Sequence, residues 1–444
     1  MKKQFFTPIL LLLFFSIQNK AFARRIDSVE IQQECLNIHH SWLKVSFILT
    51  KNTVGFTAPV SGRAYSYFSI GMYESSIEIL PELVSVSGQL DGYDRKVWKN
   101  QDEELNWMLV ANAVDYTILN YMYRAMPPSN KRQIDFMNDS ILKEFSKNNS
   151  KKVNHRSSLY GVKIAQEIIQ WSKLDGGDEG FAQNFPIDFQ APYCSACWVK
   201  TTPGFLPSLL PYWGENKQLL KESNRISDDC TVFEFSEDTN SFLFKQAMIV
   251  YENAKKTDTT YEIIAEYWDD GAGYSGTPTG HFFTIASQLV KQKSMKLDEA
   301  LELYLKLGVA VNEAFIAAFK LKYKYNFIRP ITYIHKNIDE NFNSRIASPP
   351  FPEFPSGHSF QSGAATEVMK SFFTDQTTIT DSTNFNRNDI DGTPRTYSSF
   401  TEMSEEISIS RLYGGIHFQE SLDVSLAYGR KIGIYVTNKL KCKK

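Results

Sequence analysis

Residues 309–319 read VAVNEAFIAAF, and this run forms the second half of a helical pattern from Leu297 to Tyr323. A helix that is apolar on nearly every side must be buried, so we expect this segment at the centre of the fold. Further helical patterns occupy Asn106 to Met122, Leu159 to Leu174, Ser241 to Ala254, Gly357 to Phe373 and Ser421 to Leu440. Because there is neither a series of alternating strands nor a repeat of fixed period, the sequence predicts a large all-α protein.

Segments rich in polar residues, glycine or proline predict the joints between these helices. They cover residues 147–158, 175–204, 270–280 and 376–399. We also predict a soft boundary near residue 235. It separates an N-terminal helical region, residues 24–235, from a helical domain, residues 236–444, that carries the chemistry.

The composition limits the kinds of partner that the chain can have. Its 444 residues are 42% hydrophobic, which is enough for a large core. The formal net charge of -2 excludes the globally basic surface typical of nucleic-acid-binding proteins, so any anion site must be a local basic pocket. The sequence is compatible with a homo-oligomer but does not determine the oligomeric state.

The N-terminus has the pattern of an export signal. Lys2 and Lys3 precede an apolar run from Phe5 to Ile17, and Ala-Phe-Ala at 21–23 matches a small-residue cleavage site. We therefore expect residues 1–23 to be a signal peptide and the mature chain to be periplasmic or secreted. A short membrane anchor or a buried helix is the alternative. No later segment approaches the roughly 18 apolar residues that a spanning helix needs, so we expect no stable membrane insertion.

The chain has five cysteines, and an odd number leaves at least one of them unpaired. Cys194 and Cys197 form a CxxC pair. A zinc site would need a second pair or histidines at matching spacing, and none follows closely. We expect either a local disulfide or two ordinary thiols, and we assign no catalytic role to a cysteine.

The first of three informative stretches combines Lys322 with Arg329, which directly precedes Pro330. Lys322 lies at the end of the central predicted helix, and the proline ends any helix at Arg329. An ammonium and a guanidinium would therefore meet at one rim, where both could bind an oxyanion. Alone, the stretch also fits a solvated basic patch, because Lys320, Lys322 and Lys324 alternate.

The second stretch, residues 349–358, reads PPFPEFPSGH, and its four prolines stiffen the approach to a helix that begins at Ser356 or Gly357. The free N–H groups of a first helical turn bind anions readily. Ser356 adds a hydroxyl donor, and His358 would lie beside the bound anion. An ordinary N-cap serine followed by a surface histidine is the alternative.

The third stretch, residues 410–417, reads SRLYGGIH. Arg411 continues the apolar helix face of Met403 and Ile407, so its guanidinium should be buried and needs an anionic partner. The two glycines could bend the chain and bring His417 into the same pocket, although a core histidine is the alternative. Together the three stretches predict one oxyanion site with a histidine at each end.

The pattern Lys-x6-Arg-Pro, Pro-Ser-Gly-His and Ser-Arg-x5-His resembles that of one superfamily. It unites the vanadium-dependent haloperoxidases with the type 2 phosphatidic acid phosphatases. The resemblance covers roughly residues 265–433 and implies a helical-bundle fold of the vanadium chloroperoxidase type. Because the chain is large and has an export signal but no predicted membrane helices, it is more similar to the haloperoxidase branch.

The resemblance implies a role for each matching residue. His417 would be the axial ligand of vanadium, or the nucleophile in a phosphatase, and His358 would be the acid–base residue on the opposite side. Lys322 would also polarise the oxygen atoms that come from hydrogen peroxide. The residues that would hold the equatorial oxygens of vanadate are Lys322, Arg329, Ser356, Gly357 and Arg411.

Two acidic positions complete the family's pattern. One carboxylate orients the second arginine, and the resemblance implies Asp270 for this role, with Asp269 as the alternative. The family often has Asp four residues after the last histidine, but Ser421 stands there and Asp423 follows two positions later. Such a carboxylate would orient the imidazole of His417 and set its tautomer.

The resemblance thus implies an exported vanadate-dependent haloperoxidase that oxidises halide with hydrogen peroxide to hypohalous acid. Its cofactor would be vanadate, and the sequence does not identify the organic acceptor. The alternative is a secreted acid phosphatase that binds phosphate, acts on a phosphomonoester and forms a phosphohistidine at His417. A non-catalytic oxyanion-binding protein is the second alternative.

Overall fold

A computed structural model of the protein describes residues 28–99 and 103–444. The predicted signal peptide, residues 1–23, lies outside the described residues. Within these two ranges the chain forms thirteen α-helices and one two-stranded antiparallel sheet. The prediction of an all-α protein is therefore confirmed.

The helices are numbered in chain order. They are α1 (Ser28–Asn52), α2 (Ala58–Ser76), α3 (Trp107–Met122), α4 (Pro128–Phe145), α5 (Lys151–Ser172), α6 (Phe242–Ala254), α7 (Thr259–Tyr267), α8 (Thr277–Gln292), α9 (Leu297–Tyr325), α10 (Pro330–Asn337), α11 (Gly357–Lys370), α12 (Phe400–Tyr413) and α13 (Gln419–Lys439). The strands are β1 (Ile379–Asp381) and β2 (Arg395–Tyr397), paired so that Ile379 faces Tyr397. Among the described helices, none is long and apolar enough to cross a membrane.

Helix α9 lies in the middle of the core. Every residue from Val309 to Phe319 is buried, as the sequence predicted. The helix packs against α2 from the N-terminal part of the chain and against α11 and α13 from the C-terminal part. One hydrophobic core includes residues on both sides of residue 235, and the boundary near that position stays a prediction.

Helices α11 and α13 approach so closely that their contact requires glycine. A Cβ at Gly429 would lie 2.1 Å from the carbonyl oxygen of Phe360. Four residues earlier on both helices, the backbone N–H of Ser356 donates to Ser425 Oγ at 2.8 Å. The two helices therefore run in the same direction. The amino end of α11, which carries free N–H groups and partial positive charge, lies beside the second turn of α13.

Three of the predicted joints need correction. Helix α5 begins inside the segment 147–158, because the side chain of Ser150 accepts a hydrogen bond from the first turn and caps it. Helix α8 begins inside the segment 270–280, with Pro278 in its first turn, where a missing N–H costs nothing. The segment 376–399 contains both strands. Residues that cap or begin the helices α5 and α8, such as Ser150 and Pro278, are also common in loops, so the sequence predicted loops at these helix starts.

The cysteines follow one of the two expected arrangements. Cys194 and Cys197 form a disulfide, in the predicted joint 175–204. The other cysteines are free and buried. They are Cys35, Cys230 and Cys442.

Candidate active site

The structure brings the three basic stretches together. Nη1 of Arg329 lies 3.2 Å from Nε2 of His417, and Lys322, Arg411 and His358 all act electrostatically on this histidine. Arg329 is 0% exposed and Arg411 2%. The three cations and His417 therefore form one buried group, with the half-buried His358 next to it. We call the following residues the anion cluster: Lys322, Arg329, Ser356, Gly357, His358, Arg411 and His417.

Most members of the anion cluster lie at a helix end. Lys322 is in the last turn of α9 and Arg411 in the last turn of α12. Arg329 directly precedes α10, and His417 lies two residues before α13. Ser356 is the N-cap of α11 and accepts from the backbone of its first turn. Because helix ends present free polar groups, this arrangement places N–H donors as well as charged side chains around one point.

Arg329 is held by backbone carbonyl groups and keeps one nitrogen free. Its Nε donates to the carbonyl of Phe351 at 3.0 Å, and Nη1 donates to that of Ile416 at 2.8 Å. Nη2 is buried and has no hydrogen-bond partner. Burial lowers the pKa of Arg329 to about 9, with Glu353 opposing and Arg411 adding to the shift. This guanidinium is therefore short of a counter-charge.

The ammonium of Lys322 is not free to donate to an anion, although the sequence analysis had expected it to be. Its ammonium donates to the carbonyl groups of Pro352 and Glu353, at 2.9 and 3.1 Å, and also to that of Pro355. An ammonium has only three N–H donors, so all of them hold the proline-rich loop. Burial and the nearby Arg329 lower the pKa of Lys322. Lys322 thus contributes charge to the cluster and fixes the loop before α11.

The acidic partner of Arg411 is Asp269, the alternative candidate, and not Asp270. Nη2 of Arg411 lies 3.1 Å from Oδ1 of Asp269, and Nη1 donates to the carbonyl of Trp268 at 3.2 Å. Nε of Arg411 is buried and has no partner. The assignment of Asp270 is corrected, because its side chain turns to His281 instead. Arg411 lies on the predicted helix face and keeps one free donor.

His281 forms a buried charged group with two aspartates, which the sequence analysis missed. Nδ1 lies 2.8 Å from Asp270 and Nε2 lies 2.7 Å from Asp381. Burial alone would lower its pKa, but the two carboxylates outweigh burial and raise the pKa to about 10. The imidazolium stacks on Trp268, with ring centroids 4.7 Å apart. It therefore supports the segment whose next residue, Asp269, holds Arg411.

A carboxylate that the sequence analysis did not single out is in contact with His417. Nδ1 of His417 lies 2.7 Å from Oε1 of Glu353, and Ser421 Oγ donates to Oε2 at 2.8 Å. On the other side of the ring, Nη1 of Arg329 donates to Nε2. Nδ1 thus carries the proton and Nε2 the lone pair. Burial lowers the pKa of His417 well below its usual range, and Arg329, Lys322 and Arg411 lower it further.

His358 has an unpartnered ring nitrogen. Its Nε2 is buried and makes no hydrogen bond. Burial and then Arg411 lower its pKa well below the usual value, while the backbone of Asp269 and Trp268 opposes the shift. Nearby cations have this effect because they disfavour a further positive charge on the imidazole. A bound anion would counter these charges and return the pKa towards the neutral range.

The donors of the anion cluster fit an oxyanion. Three buried nitrogen atoms lack a partner, on Arg329, His358 and Arg411, and buried polar groups are rarely left unpaired. A Cβ added at Gly357 would meet only Phe315 Cε1, at 4.0 Å, so protein packing does not require glycine there. An anion such as vanadate, beside the first turn of α11, would explain both the free donors and the free space.

The C-terminal part of the chain matches a known family. Residues 302–443 match a family model described as the VCPO second helical-bundle domain, and this range contains the whole anion cluster. No curated protein matches the sequence significantly.

Three of the solved structures that match the chain share most of its length. The first is "the first bacterial vanadium dependant iodoperoxidase", with 25% identity and a TM-score of 0.83 over 92% of this chain and 97% of that one. The second is a holo-type bacterial vanadium-dependent chloroperoxidase, with 16% identity and a TM-score of 0.61 over 90% and 92%. The third is an apo-type bacterial vanadium-dependent chloroperoxidase, with 16% identity and a TM-score of 0.59 over 89% of this chain and 94% of that one. The chain thus has the fold of the vanadium haloperoxidases, and residues 302–443 match the second helical-bundle domain of that family.

Proposed function

We propose that the chain is a vanadate-dependent haloperoxidase that uses hydrogen peroxide to convert a halide into hypohalous acid. One observation carries the proposal. The lone pair of His417 Nε2 faces a group of buried cations, and two of these, Arg329 and Arg411, have N–H donors without a partner. Oε1 of Glu353 lies 2.7 Å from the other ring nitrogen, Nδ1. This arrangement suits an anion that is bonded to Nε2 and hydrogen-bonded by the surrounding donors.

The residues of the anion cluster would divide the work as follows. Arg329, Arg411, the hydroxyl of Ser356 and the backbone N–H of Gly357 would donate to vanadate oxygens, and His417 Nε2 would bind the vanadium. Vanadate would supply a Lewis-acidic centre that activates hydrogen peroxide and keeps its own oxidation state. Lys322 would act mainly through its charge, because the loop carbonyls use its donors.

His358 is our candidate for proton transfer. The net reaction is X⁻ + H₂O₂ + H⁺ → HOX + H₂O, in which two electrons pass from the halide to the peroxide and the O–O bond breaks. The proton on the left must reach an oxygen atom of the peroxide. The free Nε2 of His358 could hold and deliver it, provided that the pKa rises towards neutrality when an anion is bound.

We propose iodide as the halide. The similar structure with a TM-score of 0.83 is an iodoperoxidase. Iodide also gives up electrons more readily than bromide or chloride, so its oxidation requires the least activation of hydrogen peroxide.

The test uses the purified chain loaded with vanadate. Hydrogen peroxide is added with iodide, bromide or chloride in separate reactions, and halogenation of an organic acceptor is followed. We expect turnover with iodide, and we expect it to disappear in His417→Ala. The matched control is His155→Ala, because His155 is exposed on α5, and it should keep full activity.

Parallel assays cover the other two functions. Hydrolysis of an aryl phosphate without vanadate, inhibited when vanadate is added, would replace the proposal with a phosphatase. Oxyanion binding without either activity would indicate a binding protein.

We also propose that the chain is exported, with cleavage after residue 23. The disulfide between Cys194 and Cys197 supports an oxidising compartment. Mass spectrometry of the protein from the periplasm or the medium of its host should give an N-terminus near Arg24. An intact N-terminus on protein from the cytoplasm would contradict export.

A further inference from the structure

Glu353 is a buried carboxylate at the amino end of α13. Its side chain is 0% exposed. Oε1 lies 2.7 Å from Nδ1 of His417 and accepts from the backbone N–H of Phe418 at 3.2 Å, while Oε2 accepts from Ser421 Oγ at 2.8 Å. A buried carboxylate is costly unless its oxygens are paired. The three partners all come from one short segment, so Glu353 fixes the position of that segment.

We propose that Glu353 is the positioning residue for His417, which orients the ring and holds the proton on Nδ1. The inference rests on the proposed function only in what it says about vanadate. Here the carboxylate comes from the loop before α11. Ser421 stands where the family often has Asp. It carries no carboxylate and instead donates a hydrogen bond to that of Glu353.

The nearby Asp423 does not compete for this role. It is exposed on α13 and accepts a hydrogen bond from Gln419 Nε2 at 2.8 Å. Its side chain is thus engaged on its own helix, whereas Glu353 is in direct contact with the imidazole.

The backbone of Glu353 is hydrogen-bonded to Lys322 and to the segment that leads to Arg329. Its carbonyl accepts from Lys322 Nζ at 3.1 Å, and its N–H donates to the carbonyl of Phe327 at 2.9 Å. Phe327 lies two residues before Arg329. Glu353 therefore fixes His417 relative to the segment that carries the cations, and its loss should affect anion affinity as well as ring orientation.

The test compares Glu353→Gln with the double variant Glu353→Gln/Ser421→Asp, which moves the carboxylate to the helix. The first readout is the ¹⁵N chemical shifts of the His417 ring without vanadate. We expect a single Nδ1–H tautomer in the unsubstituted protein, a mixture in Glu353→Gln and recovery in the double variant. The control, Asp423→Asn, should leave the ring signals unchanged.

The second readout is vanadate affinity measured by calorimetry. We expect Glu353→Gln to weaken it about 10- to 100-fold, as is usual when a group that orients a metal ligand is lost, and the double variant to recover part of the loss. If Glu353→Gln does not fold, Ser421→Ala removes only one donor to the carboxylate and should shift both readouts less, in the same direction. An unchanged tautomer together with unchanged affinity would overturn the role of Glu353. If the unsubstituted protein binds no vanadate, the proposed function fails while the ring signals still decide this inference.

Discussion

Arg411 and Asp269 form an ion pair with 3.1 Å between Nη2 and Oδ1, although the arginine side chain is 2% exposed and the aspartate 45%. Asp270, the next residue, instead binds the buried His281. The neighbouring carboxylates should therefore behave differently. Asp269→Asn should weaken vanadate binding severalfold with little change in stability, because a half-exposed ion pair contributes little to folding.

Asp270→Asn should show the opposite pattern. It leaves the buried imidazolium of His281 with a single carboxylate, and breaking a buried pair costs on the order of 3 kcal/mol. Urea unfolding and vanadate titration of both variants give the comparison. The assignment of Arg411 to Asp269 is wrong if Asp270→Asn loses affinity without losing stability.

The charged group around His281 predicts a pH dependence of stability. The two carboxylates raise the pKa of His281 from 6.5 to about 10 in the folded protein. Its contribution to stability should therefore be complete below about pH 6.5 and should disappear as the pH rises through about 10. The difference in unfolding free energy between the unsubstituted protein and His281→Gln should shrink between pH 6 and pH 10. A difference that is constant with pH would mean that the ring is neutral.

Substitution of Gly357 should change vanadate affinity without impairing folding. Its added Cβ would meet only Phe315 Cε1, at 4.0 Å, so Gly357→Ala should fold normally and gain up to about 1 kcal/mol of stability. Vanadate affinity should fall at least tenfold, because the methyl group would enter the space beside the first turn of α11. Calorimetry and thermal unfolding measure the two effects.

Gly363 on the same helix is the matched control. A Cβ there would lie 2.5 Å from the carbonyl oxygen of Leu426, so Gly363→Ala should lose stability. Equal vanadate affinity in Gly357→Ala and the unsubstituted protein would show that the anion does not use this space.

The disulfide loop is joined to the segment that leads to Arg329. Trp198 N–H donates to the carbonyl of Asn326 at 2.7 Å, and Ile328 N–H donates to that of Ala196 at 2.8 Å. Replacing Cys194 and Cys197 with serine should therefore loosen residues 326–328 and weaken vanadate binding, while the helix content stays the same. Hydrogen exchange should become faster at the amide of Ile328 and stay the same at that of Leu422 in α13. Unchanged exchange at Ile328 would show that the hydrogen bonds alone hold the segment.

The six helices predicted from the sequence all have conspicuous apolar residues, and helices made of small or polar residues were among those it missed. Every residue of α2 except Ala58 is buried, although the helix contains many serines and two glycines. Such a composition carries no clear amphipathic pattern, and only the close packing against α9 makes it a core helix. Helix α4 was missed for the opposite reason, because few of its residues are buried.

For the candidate site, local spacing was enough to find the cations and histidines but not their supporting carboxylates. Glu353 lies 64 residues before His417 and 68 before Ser421, so only the tertiary fold brings them together. A lone acidic residue within a proline-rich approach was the available signal. Between Asp269 and Asp270, spacing could not decide, because the backbone of Asp270 is left-handed, with φ of 48°, and the two side chains have different partners.

A crystal structure of the purified chain soaked in vanadate tests the central claim most directly. We predict vanadium bonded to Nε2 of His417, with its oxygens in contact with Nη2 of Arg329, Nε of Arg411 and the N–H of Gly357. Vanadate bound elsewhere, or absent from these donors at saturating concentration, would contradict the account.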